Sequence, residues 1–270
     1  MPDHYEGTAA GWAHSASRVY RPLARELVAA APHALAGRVA LDLGAGTGLV
    51  SEALITAGAR PIAVDRSPDT LRWRQDHRPP GVVADATRLP LLTGAVHDAF
   101  AAFVLNHLPD PIPALRELAR VTRPGGSVLA TVYANSGVSD ARDRVDEIAV
   151  EHGFRWPEWY LRVKFEWAPR LGTVTAMTAA ARAAGLVAAR SVEYAAEVGL
   201  DRAEDLVDYR FHQAHCREWI SGLSAAERAA LRAAAIAAVE PIMQPYRPRI
   251  VRLVALAGSG RDEARRMVCW

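Results

Sequence analysis

Hydrophobic positions in the first half of the chain fall into short apolar runs that alternate with stretches of helical period, which predicts strands and helices in turn. Val39, Leu41 and Leu43 suit a buried strand, and Leu49, Val50, Ala53, Leu54 and Ala57 follow at helical spacing, with Gly44, Gly46 and Gly48 as the hinge between them. Ahead of this unit, Tyr20, Leu23, Leu27 and Ala30 repeat as a helix from about Ser17 to Ala30 that stops before Pro32. Beyond it come a strand from Arg60 to Val64 ending in Asp65, a helix capped by Ser67-Pro68 and running to about Asp76, a strand from Gly81 to Ala84 ending at Asp85, and a strand from His97 to Leu105. Ile112, Leu115, Leu118 and Val121 mark the buried face of a helix begun at Pro109-Asp110-Pro111; Arg123-Pro124-Gly125-Gly126 ends it before a fifth strand, Ser127 to Tyr133. Five strands alternating with helices over residues 36–135 predict a doubly wound α/β layer on a parallel sheet.

The second half is less regular. Phe154, Trp156, Trp159, Tyr160, Phe165 and Trp167 crowd together without a period of 2 or 3.6, as in a lid, an acceptor pocket, core packing or the contact of a homodimer. Thr173 to Ala184 reads as a helix stopped by Gly185, Val187 to Val198 as a strand region, and Asp201 to Ile220 as one helix with Asp201 and Glu204 as its capping pair. Ser224 and Glu227 form the capping box of another helix, ended by Pro241, and Arg249 to Ala257 is a strand able to insert beside the previous one. With no repeat or low-complexity linker, residues 1–270 read as a single domain with a core at 36–135 and probable lid insertions at 140–170 and 199–245.

Composition narrows the function classes. The net charge of +2 is dispersed and no dense basic run occurs, so no nucleic-acid partner is expected. Cys216 and Cys269 lie outside any CxxC or Cys/His ligand spacing, which fits a reducing cytoplasm. The first residues lack a signal-peptide pattern and no long apolar stretch follows, so neither export nor a membrane location is expected.

The candidate chemistry gathers at strand ends. In an open α/β sheet, ligands bind outside the carboxyl ends of the strands, which brings the glycine turn, Asp65 and Asp85 into one crevice. A carboxylate at Asp65 suits ribose hydroxyls, and Asp85-Ala86, one strand further out, suits an adenine edge. Asp42, within the first strand, is the third acid of the set. A nicotinamide-binding turn is the competing reading, but GAGTGL carries leucine where GxGxxG needs its third glycine.

VALDLGAGTG, IAVDRSP, ADATRLPL, FAAFVLNHLPDPIPALRELARVTRPGG and SVLATVYA resemble, in order and separation, the successive motifs of class I S-adenosylmethionine-dependent methyltransferases. The nearest group is similar to the ubiquinone/menaquinone-biosynthesis methyltransferases, a small-molecule branch that includes natural-product tailoring enzymes. The resemblance covers 36–135 strongly and the rest weakly. It implies S-adenosylmethionine as cofactor, with Gly44, Ala45, Gly46 and Gly48 around its methionine part, Asp65 and Arg66 at the ribose, Asp85 and Ala86 at the adenine, and Val104, Leu105, Asn106 and His107 beside the sulfonium. It further implies strand order 3-2-1-4-5-7-6 with an antiparallel seventh strand, Arg249 to Ala257, and an aromatic residue, Tyr5, closing over the cofactor.

The expected reaction is methyl transfer to a small apolar or aromatic metabolite. The alternatives are a non-methylating cyclase and a cofactor-gated binding protein on the same fold. A hydroxyl or acidic carbon must lose a proton to be methylated, and His107 is the first candidate base, balanced against a capping or cofactor-lining role. His212 and His215 are the second. With Asp208 and Trp219 they share one face of the expected helix Asp201 to Ile220, where an acid beside two histidines orients a base or, as the competing reading, a polar face meets solvent. No metal site is expected, since the two histidines have no clear third ligand beyond Asp208.

Overall fold

The computed structural model describes residues 16–258. Seven strands form one sheet in the order β3-β2-β1-β4-β5-β7-β6. They are β1 (Val39–Leu43), β2 (Arg60–Asp65), β3 (Gly81–Val83), β4 (Asp98–Ala102), β5 (Ser127–Tyr133), β6 (Leu186–Ala195) and β7 (Arg249–Ala257). β1 to β5 pair in parallel, whereas β7 runs antiparallel between β5 and β6. This is the expected topology, inserted last strand included.

The strands read as near-continuous apolar runs because both faces of the sheet are covered. Leu41 and Leu43 of β1, Ala99 and Ala101 of β4, and Val128, Ala130 and Val132 of β5 face α4 (Ile112–Val121) and α7 (Val174–Ala183). The alternate positions Ala40, Phe100 and Leu129 pack with Leu27 of α1 (Ser17–Ala29) and Leu54 of α2 (Leu49–Thr56). Period-2 alternation thus divides one sheet between two helix layers.

Helices from the second half build a third buried cluster with α1. It joins α5 (Asp140–Glu151), Phe154 beyond it, α8 (Ala203–Phe211) and α10 (Ala225–Val239). Between them lie α6 (Glu158–Arg162), with a π turn and a 3-10 turn running on to Arg170, and α9 (Arg217–Gly222), while Leu71 of α3 (Pro68–Arg72) packs on Ala63 of β2. No helix among the described residues is long and apolar enough to cross a membrane.

Several local expectations need correction. The helix expected over Asp201 to Ile220 is broken: α8 ends at Phe211, Gln213 is extended (φ −69°, ψ 149°), and a 3-10 turn leads into α9. Arg202, not Asp201, is the residue before α8, and no side chain caps it. The helix after Ser67 stops at Arg72, because Trp73 is extended and Arg74 enters the left-handed region at φ 49°; the Ser67 side chain makes no cap. The fourth strand ends at Ala102, where Phe103 turns the chain at φ 56°. α5 was not expected, although Ser139 caps it and Ala141, Val145, Ile148 and Ala149 mark its buried stripe. The capping box at Ser224 and Glu227 is present as expected.

Asp98 ties the lower end of the sheet. Its fully buried carboxylate accepts from Ser127 N and Oγ at 3.0 and 2.7 Å and from Arg38 Nε at 2.6 Å, and lies 2.8 Å from His33 Nε2. Burial by itself raises its pKa, but these bonds from Arg38, Ser127 and His33 hold it below the usual carboxylate range. Asp98→Ala strands those donors and is expected to lower stability by about 3–5 kcal/mol in urea unfolding at pH 7. The depressed pKa sets the sign: the loss is present above the unfolded carboxylate value of about 3.9 and vanishes as pH falls through the folded value.

Candidate active site

The glycine turn leaves β1 against two neighbours at once. Gly44 N and Ala45 N donate to Val64 O at 2.7 and 3.1 Å, holding the turn to β2. On the other side a Cβ at Gly44 would lie 2.6 Å from Val104 Cβ, and its φ of 68° disfavours a side chain as well. Only glycine fits between those walls. Gly46 N donates to Asp65 Oδ2 at 2.8 Å and Ser67 N donates to Asp65 Oδ1 at 2.9 Å, so the acid at the end of β2 orders the turn.

Two further groups brace the turn from behind. Asp42, 1% exposed, accepts from Ser51 Oγ at 2.6 Å, and burial pushes its pKa up to about 6 against the pull of that bond. Arg78 Nη1 donates to Gly46 O at 2.9 Å and to Thr70 O at 2.7 Å. Arg78 was missed from sequence because it sits in an irregular stretch with no motif around it.

A cavity of about 260 Å³ opens over the carboxyl ends of β1, β2, β4 and β5. Gly44, Ala45, Gly46, Asp65, Arg66, Asp85 and Ala86 line one part of it. Asp85 accepts from Thr87 Oγ1 and Thr87 N, both at 2.7 Å, and those bonds lower its pKa. Val104, Asn106 and His107 form the middle, and Tyr20, Phe103, Tyr133, Trp159 and Trp167 the rest. Tyr133 donates to Tyr20 Oη at 3.0 Å and its hydroxyl lies 3.1 Å from that of Tyr209, while the Phe103 ring packs 5.1 Å from Tyr20 and 4.8 Å from Tyr133. Burial pushes the Tyr133 and Tyr209 hydroxyls well above their ordinary value, so this chain of phenols stays neutral.

Among the described residues, the expected site residues are thus brought together except for five. Asp42 lies beneath the turn, Gly48 precedes α2 at φ 94°, and Leu105 is fully buried in the core. His212 is exposed on the broken helix, its ring Nδ1 2.7 Å from Asp208 O, and Asp208 is engaged by Arg232 at 2.7 Å. His215 is 5% exposed, stacked on Tyr160 at 3.9 Å and Trp156 at 5.4 Å. The break at Gln213 separates the two histidines, so the base they were expected to form with Asp208 is not assembled. Tyr5 lies outside the described residues. Among the described residues no group of three or more His, Cys, Asp or Glu is placed to hold a metal ion.

His107 lines the cavity, and burial lowers its pKa to about 4.

Strand order, glycine turn and the acids after β2 and β3 are the arrangement of the class I S-adenosylmethionine-dependent methyltransferase fold. Comparison with known proteins agrees: residues 41–130 match the methyltransferase domain family. The chain is similar to the demethylmenaquinone methyltransferase of Mycolicibacterium gilvum, 38% identical over 117 residues, or 43% of this chain and 50% of that protein. The chain spans about half the length of the curated relatives it matches. Its fold is similar to phosphoethanolamine N-methyltransferase 2 of Haemonchus contortus, solved with phosphomonomethylethanolamine and S-adenosylhomocysteine (TM-score 0.58, 15% identity, 88% of this chain and 52% of that one). It is also similar in fold to the [4+2]-cyclase SpnF (TM-score 0.53, 20% identity, 91% of this chain and 82% of that one).

S-adenosylmethionine is the cofactor, and the residues present fit it. A Cβ at Gly46 would have only Gly44 O near it, at 4.0 Å, so the turn leaves open space beside a strand-end carboxylate at Asp65 and a second at Asp85. Gly44→Ala is expected to weaken S-adenosylmethionine binding by about tenfold or more, and Asp65→Ala by about ten- to a hundredfold, in calorimetry. His215 gives a separate test of its place in the core. Burial, with the Arg210 and Lys164 charges, lowers its pKa to about 2, so below its ordinary value of about 6.5 the unfolded chain binds a proton that the folded chain refuses. Stability therefore falls as pH drops from 6.5 toward 4, and His215→Phe is expected to make that fall shallower by about 1.4 kcal/mol per pH unit in urea unfolding.

Proposed function

We propose that the chain transfers a methyl group from S-adenosylmethionine to a small, uncharged, apolar or aromatic molecule, as in natural-product tailoring in the cytoplasm. The observation that carries this reading is the wall of the cavity beyond the cofactor cradle, built from Tyr20, Phe103, Tyr133, Trp159 and Trp167. Among the described lining residues the acids and arginines are Asp65, Arg66 and Asp85, all on the cofactor side. A phosphate or ammonium group would lose its hydration there without a fixed counter-charge, which favours a neutral acceptor. The relatives named as demethylmenaquinone methyltransferases support a small-molecule acceptor. Dispersed charge disfavours a nucleic-acid partner.

Bound S-adenosylmethionine supplies an electrophilic methyl on a sulfonium. The protein aligns the acceptor with it and keeps water out, which suits an aromatic wall. Segments 140–170 and 199–245 act as lids in this reading. The packing of the turn 105–107 against 163–170 supports that role, since it sets the aromatic residues next to His107. A buried imidazole with a pKa near 4 is unprotonated at neutral pH, and in this reading it takes the proton of an acceptor hydroxyl.

Release of S-adenosylhomocysteine with radiolabelled methyl on 2-naphthol tests the reading; cofactor binding without transfer to any of a panel of hydroxylated aromatics would favour the cyclase or binding alternative. His107→Ala is expected to lower turnover of a hydroxyl acceptor by about a hundredfold, with the wild-type rate showing no inflection near pH 6.5. Equal turnover of the variant across pH would remove His107 from the mechanism.

A further inference from the structure

One polar group in the cavity wall has no task in the fold or in the proton transfer assigned to His107. Asn106 is 7% exposed, and its Oδ1 is buried without a hydrogen-bond partner. Of the buried side-chain polar atoms in that condition among the described residues, Asn106 Oδ1 alone belongs to a residue lining the cavity; His215 Nε2 and Tyr194 Oη, for example, sit elsewhere. An amide oxygen held unpaired in an apolar wall is unfavourable, so a site that keeps one is built for a guest that pairs with it. A half-turn of the terminal torsion exchanges its oxygen and nitrogen, so the group can accept from or donate to that guest.

The place of Asn106 says which guest. Val104, two residues earlier, abuts the glycine cradle, and His107 follows directly. The turn 105–107 packs against 163–167 and 168–170, the segment that brings Val163 and Trp167 to the cavity. Its neighbours are therefore those of the acceptor half.

We propose that Asn106 determines acceptor specificity: its amide hydrogen-bonds an oxygen on the ring of an aromatic acceptor, so the substrate class is a hydroxylated or carbonyl-bearing aromatic and not a plain hydrocarbon. This rests on the reading of the cavity as a methyl-acceptor site. It also gives the acceptor two polar contacts on one turn, Asn106 to orient an oxygen and His107 to relieve it of a proton.

The test compares 2-naphthol with 2-methylnaphthalene, equal in shape, by tryptophan-quenching titration in the presence of S-adenosylhomocysteine. The full chain is expected to bind the naphthol about tenfold more tightly. Asn106→Leu, similar in size, is expected to abolish that preference, to leave S-adenosylmethionine affinity unchanged, and to melt at the same temperature or higher because an unpaired amide has been removed. Asn106→Ala serves as the second variant with the same expected loss of preference. The proposal is overturned if the wild type shows no preference, if either folded variant retains it, or if cofactor affinity falls in parallel, which would assign Asn106 to the cofactor. Radiolabelled transfer measured alongside keeps the two readings apart: an Asn106-dependent preference without methyl transfer retains this assignment and removes the proposed activity.

Discussion

The close approach of Gly44 to Val104 is the constraint on which the cavity depends. It sets the turn after β1 against the end of β4, with no room for one more carbon atom between them. Val104 is held there by the residue before it. Phe103 still donates to Thr131 O at 2.8 Å, as a strand residue does, but its φ of 56° then swings the chain across the top of the sheet. Such a conformation costs about 1–3 kcal/mol in a non-glycine residue. Packing of its ring between Tyr20 and Tyr133 offsets part of that cost. One backbone contact therefore positions the cofactor cradle on its near side and Asn106 and His107 on its far side.

Burial, more than pairing, decides the protonation states that matter around this contact. Asp42 is pushed up and His107 down by the same loss of hydration, so at neutral pH the imidazole carries no charge into an apolar cavity. The phenols of Tyr133 and Tyr209 follow the same rule.

Much of the fold was legible because the strands of a doubly wound sheet are apolar on both faces and the crossovers between them are short. The runs at Val39, Arg60, Gly81 and Ser127 declared themselves without any knowledge of their partners. The cradle was legible too, since three glycines in five residues have few other uses. What escaped depends on contacts between distant parts of the chain. The break at Gln213 has no glycine or proline to announce it; its side-chain Nε2 donates to Tyr209 O at 3.1 Å, a local bond that a helical pattern does not reveal. With that break the apparent face of Asp208, His212 and His215 dissolved, and His215 joined Phe154, Trp156 and Tyr160 in an aromatic stack. Asn106 stood in plain view in LNHLPDP, but its unpaired state exists only once the wall around it is built.

The insertion of β7 between β5 and β6 bears on how the chain reaches this structure. Strands β1 to β5 come together through short crossovers, each closing a modest loop. Among the described residues β6 has β7 as its one sheet partner, so from the moment it is made β6 must wait while some fifty residues, including α8, α9 and α10, pass before Arg249–Ala257 arrives. Until then the outer edge of β5 and both edges of β6 present unpaired N–H and C=O groups, the condition that invites pairing with another chain. Completion of the sheet is thus its longest-range pairing, of the kind whose loop-closure cost slows folding in general.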